Sequence, residues 1–276
     1  PAVEALIVQK KTELLRLEQH LKHLQTAALP PDTYTENALG LGLVMKRIQG
    51  GTFLMGSPPT EADRSDDELQ HRVTLSDFYI GAYQVTQDQW AAVMGSNPSH
   101  FKGDNLPVES VSWDDIQQFL QKLNAMLQKI GLLTRFALPT EAQWEYAARG
   151  GTSTPFNTGN CLSTDQANYD GNYPYQNCAK GQYREKTTPV GSFAPNQYGL
   201  YDMHGNVWEW CSDWYDKNYY QNSPANNPTG PTTGSYRVLR GGSWYINAQN
   251  CRVAYRFISP PGNRYFHYGF RLVLVP

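Results

Sequence analysis

Residues 150 to 200 place the strongest constraint on how this chain folds, because they are rich in Gly, Asn, Thr and Tyr and show almost no hydrophobic periodicity. So long a stretch without a helix or strand pattern is uncommon in a compact domain and indicates an ordered ion or a functional loop. The whole chain has the same character, with 23 Gly, 18 Pro, 18 Tyr and 7 Trp in 276 residues. Buried rings and special backbone angles hold such connections in place. The sequence therefore predicts a loop-rich fold in which regular secondary structure is a minority.

The N-terminal region carries the clearest helix pattern. Residues 3 to 28 place apolar side chains on one stripe and are followed by Pro30 and Pro31, which end a helix. We expect residues 1–32 to form an amphipathic helix with a linker. This apolar stripe would be buried against its own domain, against a second copy of the chain or against a region upstream of residue 1. We therefore expect a monomer, or a weak dimer that forms through this helix. The stripe consists of Ile7, Leu14, Leu17, Leu21 and Leu24.

The rest of the chain, residues 41–276, alternates short strands with amphipathic helices. Residues 43–57 and 71–86 alternate apolar and polar side chains as strands do. Helices are predicted over residues 87–94 and 113–130 and from Thr140 onwards, with Thr86, Ser112 and Thr140 as N-caps. Residues 238–244 and 269–274 are predicted strands that enclose an irregular, polar and aromatic segment.

Charge and composition exclude several classes of partner. A net charge of −2 without a Lys/Arg run argues against nucleic acid and against an anionic membrane surface. No apolar run is long enough to span a bilayer. No signal peptide opens the sequence, which favours the cytoplasm, although a first residue that is Pro indicates a truncated N-terminus.

The four cysteines do not follow a metal-binding spacing. A chain of this length does not need disulfides, so the simplest expectation is four reduced, mostly buried thiols at positions 161, 178, 211 and 251. A bridge between Cys161 and Cys178, closing the loop between them, is the alternative.

Seven motifs together resemble the formylglycine-generating-enzyme, or sulfatase-modifying-factor, family over roughly residues 41 to 275. The resemblance implies a single α+β domain of the C-type lectin type. Fold does not fix function on this scaffold, so each site residue has to be tested separately. In chain order the motifs are GGTFLMGS (50–57), FYIGAYQVT (78–86), PVESVSWDD (107–115), LPTEAQWEYAARG (138–150), YGLYDMHGNVWEW (198–210), LRGGSW (239–244) and GFRL (269–272).

The copper-binding cysteine pair of the catalytic family members has no counterpart here. In those enzymes two cysteines, five residues apart, lie just beyond the GGS turn. In this chain residues 244–252 hold one thiol, Cys251, without the second soft ligand that copper(I) requires. We therefore expect no copper and no enzyme activity. One hypothesis for such a chain is an inactive or altered relative of the formylglycine-generating enzymes that binds a peptide in the inherited groove, and it is the alternative to the binding protein described below.

Residues 237–275, here called the variable segment, are similar to the variable region of diversity-generating retroelement target proteins. The frame that such templates keep constant is present: GGSW, AQNCR, PGNR and GFRL. Adenine-directed mutagenesis of an Asn codon cannot yield Lys, Glu, Gln, Met or Trp, and none of the twelve positions expected to vary carries these residues. The twelve are Tyr245, Ile246, Asn247, Tyr255, Phe257, Ile258, Ser259, Pro260, Tyr265, Phe266, His267 and Tyr268.

The residue types at these positions are typical of a displayed binding surface. Tyr, Phe, Ser, Asn and His on loops give rigid contact area and adaptable hydrogen bonds, as in antibody paratopes. We expect the twelve side chains to face solvent and to bind a varied protein or glycan ligand, whose identity the sequence does not encode. The frame residues Gly241, Gly242, Trp244, Arg256, Gly269, Phe270 and Arg271 should hold the scaffold. The alternative is that the rings are core residues.

A calcium site is implied by the same family resemblance. Matching the motif at residues 201–210, the ligands would be Asp202, the carbonyls of Gly205 and Val207, and Glu209. Oxygen ligands of this kind suit a hard cation. The ion would be structural. A hydrogen-bonded turn without metal is the alternative.

Overall fold

The computed structural model of the chain describes residues 10, 11 and 32–275. By internal contacts the chain divides into two units, residues 1–31 and residues 32–276. The predicted amphipathic helix lies outside the described residues, apart from the helical pair Lys10 and Lys11. The described strands and the other described helices all belong to the second unit.

A five-stranded antiparallel sheet forms one side of this unit. It contains β1 (Thr33–Glu36), β2 (Leu43–Ile48), β5 (Phe78–Gly81), β6 (Arg135–Ala137) and β11 (Val273–Val275), in the order β1-β2-β5-β11-β6. The C-terminal strand β11 lies between β5 and β6, so the end of the chain completes the sheet. Asn124 covers the free edge of β6, because its side chain accepts from the Phe136 amide (2.8 Å) and donates to the Phe136 carbonyl (2.9 Å).

Two further sheets carry the remaining strands. β3 (Gly51–Met55) pairs with β4 (His71–Leu75), and a four-stranded sheet has the order β10-β7-β8-β9. In that sheet β7 (Trp208–Trp214) precedes the variable segment, whereas β8 (Arg237–Arg240), β9 (Phe257–Ser259) and β10 (Tyr268–Gly269) belong to it. Each strand predicted over residues 43–57 and 71–86 is in fact two strands. At Gly50 the chain passes so close to Leu75 that a Cβ would lie 2.4 Å from its carbonyl oxygen.

The helices confirm the sequence pattern. They are α1 (Gln87–Met94), α2 (Trp113–Lys129), α3 (Glu141–Arg149) and the short α4 (Tyr219–Asn222). The first three begin with capping boxes on Thr86, Ser112 and Thr140. α2 buries the predicted apolar stripe against the core, including Phe119 and Leu123.

Residues 150–207 contain no helix and no named strand, as the sequence predicts. Their core is a small hydrophobic cluster around Phe156 and Tyr169, both fully buried. A Cys161–Cys178 disulfide closes part of this region. The expectation of four reduced thiols is therefore wrong for these two cysteines, and the bridge that the sequence left open is present.

No described helix combines the length and apolar character needed to cross a membrane.

Candidate binding site

Arginine side chains anchor the variable segment to the preceding part of the chain. Five of its arginines form ion pairs, and every partner carboxylate lies before residue 237. The pairs are Arg240 with Glu145, Arg252 with Glu68, Arg256 with Glu141, Arg264 with Asp115 and Arg271 with Glu209.

Most of these anchors are buried. Arg240, Arg252 and Arg271 are fully covered, and Arg256 is almost covered. Burial by itself would raise the pKa of Glu141, but the guanidinium groups of Arg256 and Arg240 outweigh burial and keep that pKa below its ordinary value. Removing one partner of such a pair leaves an uncompensated buried charge. The anchors therefore tie the course of the segment to fixed positions in the fold.

The two glycines that follow β8 make a sharp turn in the variable segment. Gly241 and Gly242 have φ angles of 94° and 79°, which side-chain-bearing residues rarely adopt. A Cβ on Gly242 would lie 2.4 Å from Cys251 Sγ, and one on Gly241 would lie 3.0 Å from the Trp144 ring. Both positions require glycine. Together with buried Trp244, Gly269 and Phe270, they confirm the predicted scaffold residues.

Ten of the twelve predicted variable side chains reach the surface at least in part. Tyr245, Pro260, Tyr265 and Phe266 are exposed. The partly exposed positions are Ile246, Asn247, Tyr255, Phe257, Ile258 and His267.

Two of the twelve positions correct the prediction. Ser259 and Tyr268 are each only 3% exposed and do not project to solvent. They lie on β9 and β10, which pair with β8 and β7 in the four-stranded sheet. The Tyr268 ring packs edge-on against Trp210 at 5.4 Å, which makes it a core residue.

Four of the surface rings form one connected patch, the aromatic face, which comprises Tyr245, Tyr265, Phe266 and His267. His267 stacks on Tyr245 (centroids 5.8 Å apart) and on Tyr265 (5.5 Å), and Phe266 contacts Tyr245 edge-on at 6.0 Å. Trp244, 5% exposed, lies beneath, with its ring 5.3 Å from Tyr245 and 5.6 Å from Phe266. Trp244 is therefore the platform of the face.

The aromatic face carries no charge at neutral pH. Burial lowers the pKa of His267 to about 4, so its ring is neutral. The other members are two tyrosines and a phenylalanine. This face therefore offers ring contacts and neutral hydrogen bonds.

Residues outside the variable segment extend this face, and sequence reasoning missed them. The His100 ring lies 5.8 Å from Phe266, Phe101 contacts Trp244 edge-on at 5.5 Å, and Tyr183 stacks on Trp244 at 6.2 Å. These residues come from two loops distant in sequence, and no local pattern marks them as neighbours of residue 244.

A second group of predicted variable side chains packs against β7. The Phe257 ring stacks on Trp208 with centroids 4.8 Å apart, and Tyr255 lies 5.9 Å from the same indole. Trp208 is 1% exposed and supports both rings from below. The clefts of about 480 Å³ beside the disulfide and about 720 Å³ between α2 and β6 are lined by none of the twelve positions.

The disulfide loop (residues 161–178) supports the first variable loop (residues 245–248) through main-chain hydrogen bonds. The Asp170 amide donates to the Ile246 carbonyl (3.0 Å), and the Ala248 amide donates to the Tyr173 carbonyl (3.1 Å). Asp170 and Tyr173 both lie between the bridged cysteines. The irregular residues 150–207 thus help to position the first variable loop.

The two free thiols are buried in separate hydrophobic clusters. Cys211 and Cys251 are fully covered, and burial raises the pKa of both thiols. Protonated, inaccessible thiols are poor nucleophiles and poor metal ligands. The structure does not bring these two sulfur atoms together.

The residues of the predicted calcium site do converge, but around a side-chain amide. Gln84 Nε2 lies 3.4, 3.5 and 3.2 Å from the main-chain oxygens of Asp202, Gly205 and Val207, and 2.9 Å from Glu209 Oε1. We call these four oxygens the oxygen cage. The Asp202 carboxylate is not among these contacts, because its Oδ2 accepts from the Gly191 amide at 2.7 Å and its Oδ1 is buried without a hydrogen-bond partner.

Calcium fits this set poorly. Arg271 donates to both oxygens of Glu209, the carboxylate of the cage, and Trp144 Nε1 donates to one of them (2.7 Å). Calcium takes six to eight oxygen ligands, and its affinity is tuned by the number of charged ligands. Among residues 32–275 no group of three or more His, Cys, Asp or Glu side chains is placed to hold a metal ion. Calcium at this position stays a prediction.

Comparison with known proteins places this geometry in a family. The profile of the sulfatase-modifying factor enzyme 1-like domain matches residues 25–275. Formylglycine-generating enzyme of Thermomonospora curvata is 37% identical over 295 residues, covering 84% of this chain and 93% of that protein. The structure of Treponema denticola variable protein 1 aligns with a TM-score of 0.75 and 32% identity, covering 89% of this chain and 100% of that one. PvdO from Pseudomonas aeruginosa aligns with a TM-score of 0.75 and 26% identity, covering 90% and 100%. The chain therefore belongs to the sulfatase-modifying factor enzyme 1-like family and has the α+β fold shared by formylglycine-generating enzymes and a retroelement variable protein.

Proposed function

We propose that this protein is a non-catalytic binding protein whose variable segment is diversified to recognise different ligands. The observation that carries the proposal is the separation of two kinds of residue within that segment. Four of the five anchoring arginines, the scaffold glycines Gly241, Gly242 and Gly269, and Phe270 are buried, whereas ten of the twelve predicted variable positions reach the surface. Such an arrangement lets the surface change without disturbing the fold, since substitutions at exposed positions usually alter stability much less than substitutions in the core.

The aromatic face supports recognition of a macromolecule. It is a surface of connected rings on a buried Trp244 platform, and exposed aromatic clusters of this kind mark interaction sites. Tyrosine and phenylalanine give large contact area with few rotatable bonds, so binding restricts little side-chain freedom. The ligand is a protein or glycan surface. Because the face is uncharged, its affinity should depend only weakly on salt.

The similarity to a variable protein of Treponema denticola supports the diversification part of the proposal. The decisive test is genomic. The genome that encodes this chain should hold, beside a reverse transcriptase gene, a near-copy of the DNA for residues 237–275 with adenines in the codons of the twelve positions. A genome without such a copy would overturn diversification by a retroelement.

A second candidate function is suggested by the identity to formylglycine-generating enzymes. It is an altered oxidoreductase, or an inactive relative, that binds a peptide in the inherited groove. Against catalysis stands Cys251, which is fully buried and whose thiol pKa is raised by burial.

The test of this candidate is oxidation of a cysteine-containing sulfatase peptide with added copper. We expect no turnover, because the cysteine pair of the enzymes is missing. Turnover that disappears in Cys251→Ser would reject the non-catalytic proposal in favour of the enzyme.

A further inference from the structure

We propose that the side-chain amide of Gln84 takes the place of a metal ion in the oxygen cage, so that the loop of residues 202–209 is organised without calcium. Gln84 is 1% exposed, and Nε2 is its atom nearest to the four cage oxygens. A neutral donor inside the protein thereby fills the position expected for a cation.

The contacts of Nε2 are those of a hydrogen-bond donor. Its two shortest contacts, to Glu209 Oε1 (2.9 Å) and to the Val207 carbonyl (3.2 Å), match its two N–H groups. The carbonyls of Asp202 and Gly205, at 3.4 and 3.5 Å, complete the cage with longer contacts. The amide therefore joins both ends of the loop.

The orientation of the Gln84 amide is fixed by its neighbour Asn206. Asn206 Oδ1 accepts from the Thr188 amide (3.0 Å), and Asn206 Nδ2 donates to the Thr188 carbonyl (3.1 Å), so oxygen and nitrogen of Asn206 cannot be exchanged. The same Nδ2 donates to Gln84 Oε1 at 3.1 Å. If Gln84 were flipped, two NH₂ groups would face each other and its oxygen would enter a cage of oxygens. Only the orientation with nitrogen in the cage satisfies every partner.

The charge balance of the cage also favours a neutral occupant. Glu209 contributes the negative charge, and the fully buried guanidinium of Arg271 binds both of its oxygens. A calcium ion would have to share the Glu209 carboxylate with this guanidinium, and its other three ligands from the cage would be neutral carbonyls. Calcium affinity is set largely by the number of ligand charges, and here Arg271 already compensates that charge.

The first experiment measures metal in the protein as purified. We expect no stoichiometric calcium by elemental mass spectrometry, and we expect the same melting temperature in EGTA as in millimolar calcium chloride. One calcium ion per chain, together with a lower melting temperature in EGTA, would overturn the proposal. This measurement needs no variant, so it decides the question even if the variants below fail to fold.

The second experiment converts the cage into a calcium site. Gln84→Glu places a second carboxylate among the cage oxygens, and the variant should be destabilised in EGTA and recovered by calcium chloride. The expected gain is roughly 5–10 °C in melting temperature at about 100 times Kd. Gln118→Glu makes the same chemical change at an exposed position of α2 and should show no response to calcium. If folded Gln84→Glu is also indifferent to calcium, the Gln84 amide does not stand in a cation position and the proposal fails.

Discussion

Two tyrosines of the variable segment should differ sharply in their contribution to stability, although both occupy positions predicted to vary. Tyr245 is 55% exposed on the aromatic face, whereas Tyr268 is 3% exposed and packs on Trp210. We expect Tyr268→Ala to destabilise the protein much more than Tyr245→Ala. The comparison is matched, because both changes remove the same side chain from the same segment.

The size of the difference can be worked out from the buried area. An aromatic side chain that is fully covered removes about 150–250 Å² from water, worth roughly 25 cal/mol per Å². For Tyr268 this gives about 4–6 kcal/mol as an upper estimate, and residual burial in the unfolded chain lowers it to about 3–5 kcal/mol, the range found when core aromatic residues are truncated. Less than half of the Tyr245 side chain is covered, so its loss should cost about 1–2 kcal/mol. In a domain of this size the difference corresponds to roughly 5–10 °C in melting temperature.

The assay is thermal and urea unfolding of both variants, followed by circular dichroism. Tyr268→Phe serves as a control, because it keeps the ring and removes only the hydroxyl that hydrogen-bonds Ser259; it should cost about 1 kcal/mol. Equal losses for the two alanine variants, or a larger loss for Tyr245→Ala, would show that the assignment of core and surface in this segment is wrong.

Three other features of the molecule lead to further expected outcomes. Replacing Cys161 and Cys178 by Ser should lower the free energy of unfolding by about 2–4 kcal/mol and speed hydrogen exchange in the first variable loop; unchanged exchange would contradict support by the disulfide loop. Arg240→Met removes one partner of a buried ion pair and should lower the free energy of unfolding by about 3–5 kcal/mol. Arg264→Met removes one partner of an exposed pair and should lower it by about 1 kcal/mol or less. Urea unfolding compares the two variants, and equal losses would argue against buried anchors. Burial raises the pKa of Asp213 to about 7. Between about pH 4 and pH 7 the folded state therefore keeps a proton on this carboxyl that the unfolded state has lost. The free energy of unfolding falls as pH rises through this range, because the folded protein must then also give up that proton. Asp213→Asn should therefore gain in melting temperature relative to the wild type between pH 4 and pH 8, and a constant difference would show that Asp213 does not titrate in this range.

Elements governed by local rules were predictable from the sequence. The capping boxes at Thr86, Ser112 and Thr140 and the apolar stripe of α2 depend on residues three or four positions apart, and the helices begin where these patterns place them. The motifs likewise placed the family and the buried scaffold correctly. The glycine turn at residues 241 and 242 is required by positive φ angles, which the GGS motif indicates.

Features that depend on contacts between distant residues were not predictable. Gln84 reaches its cage across more than a hundred residues, and nothing near it in the sequence distinguishes it from an ordinary polar side chain. Ser259 and Tyr268 were expected at the surface because the matching motifs identify positions but not the direction of each side chain. In the structure both are buried where β9 and β10 pair with β8 and β7. His100 and Tyr183 border the aromatic face only because two loops meet there.

The ion pairs of the variable segment limit how far that segment can be transplanted. Each of the five arginines depends on a carboxylate encoded upstream, so residues 237–275 are not a self-contained cassette. A recipient scaffold from the same family would have to supply those acids at matching positions, or it would acquire unpaired buried charges. Exchanges confined to the ten accessible positions avoid this incompatibility, which makes them the practical boundary for a designed library on this protein.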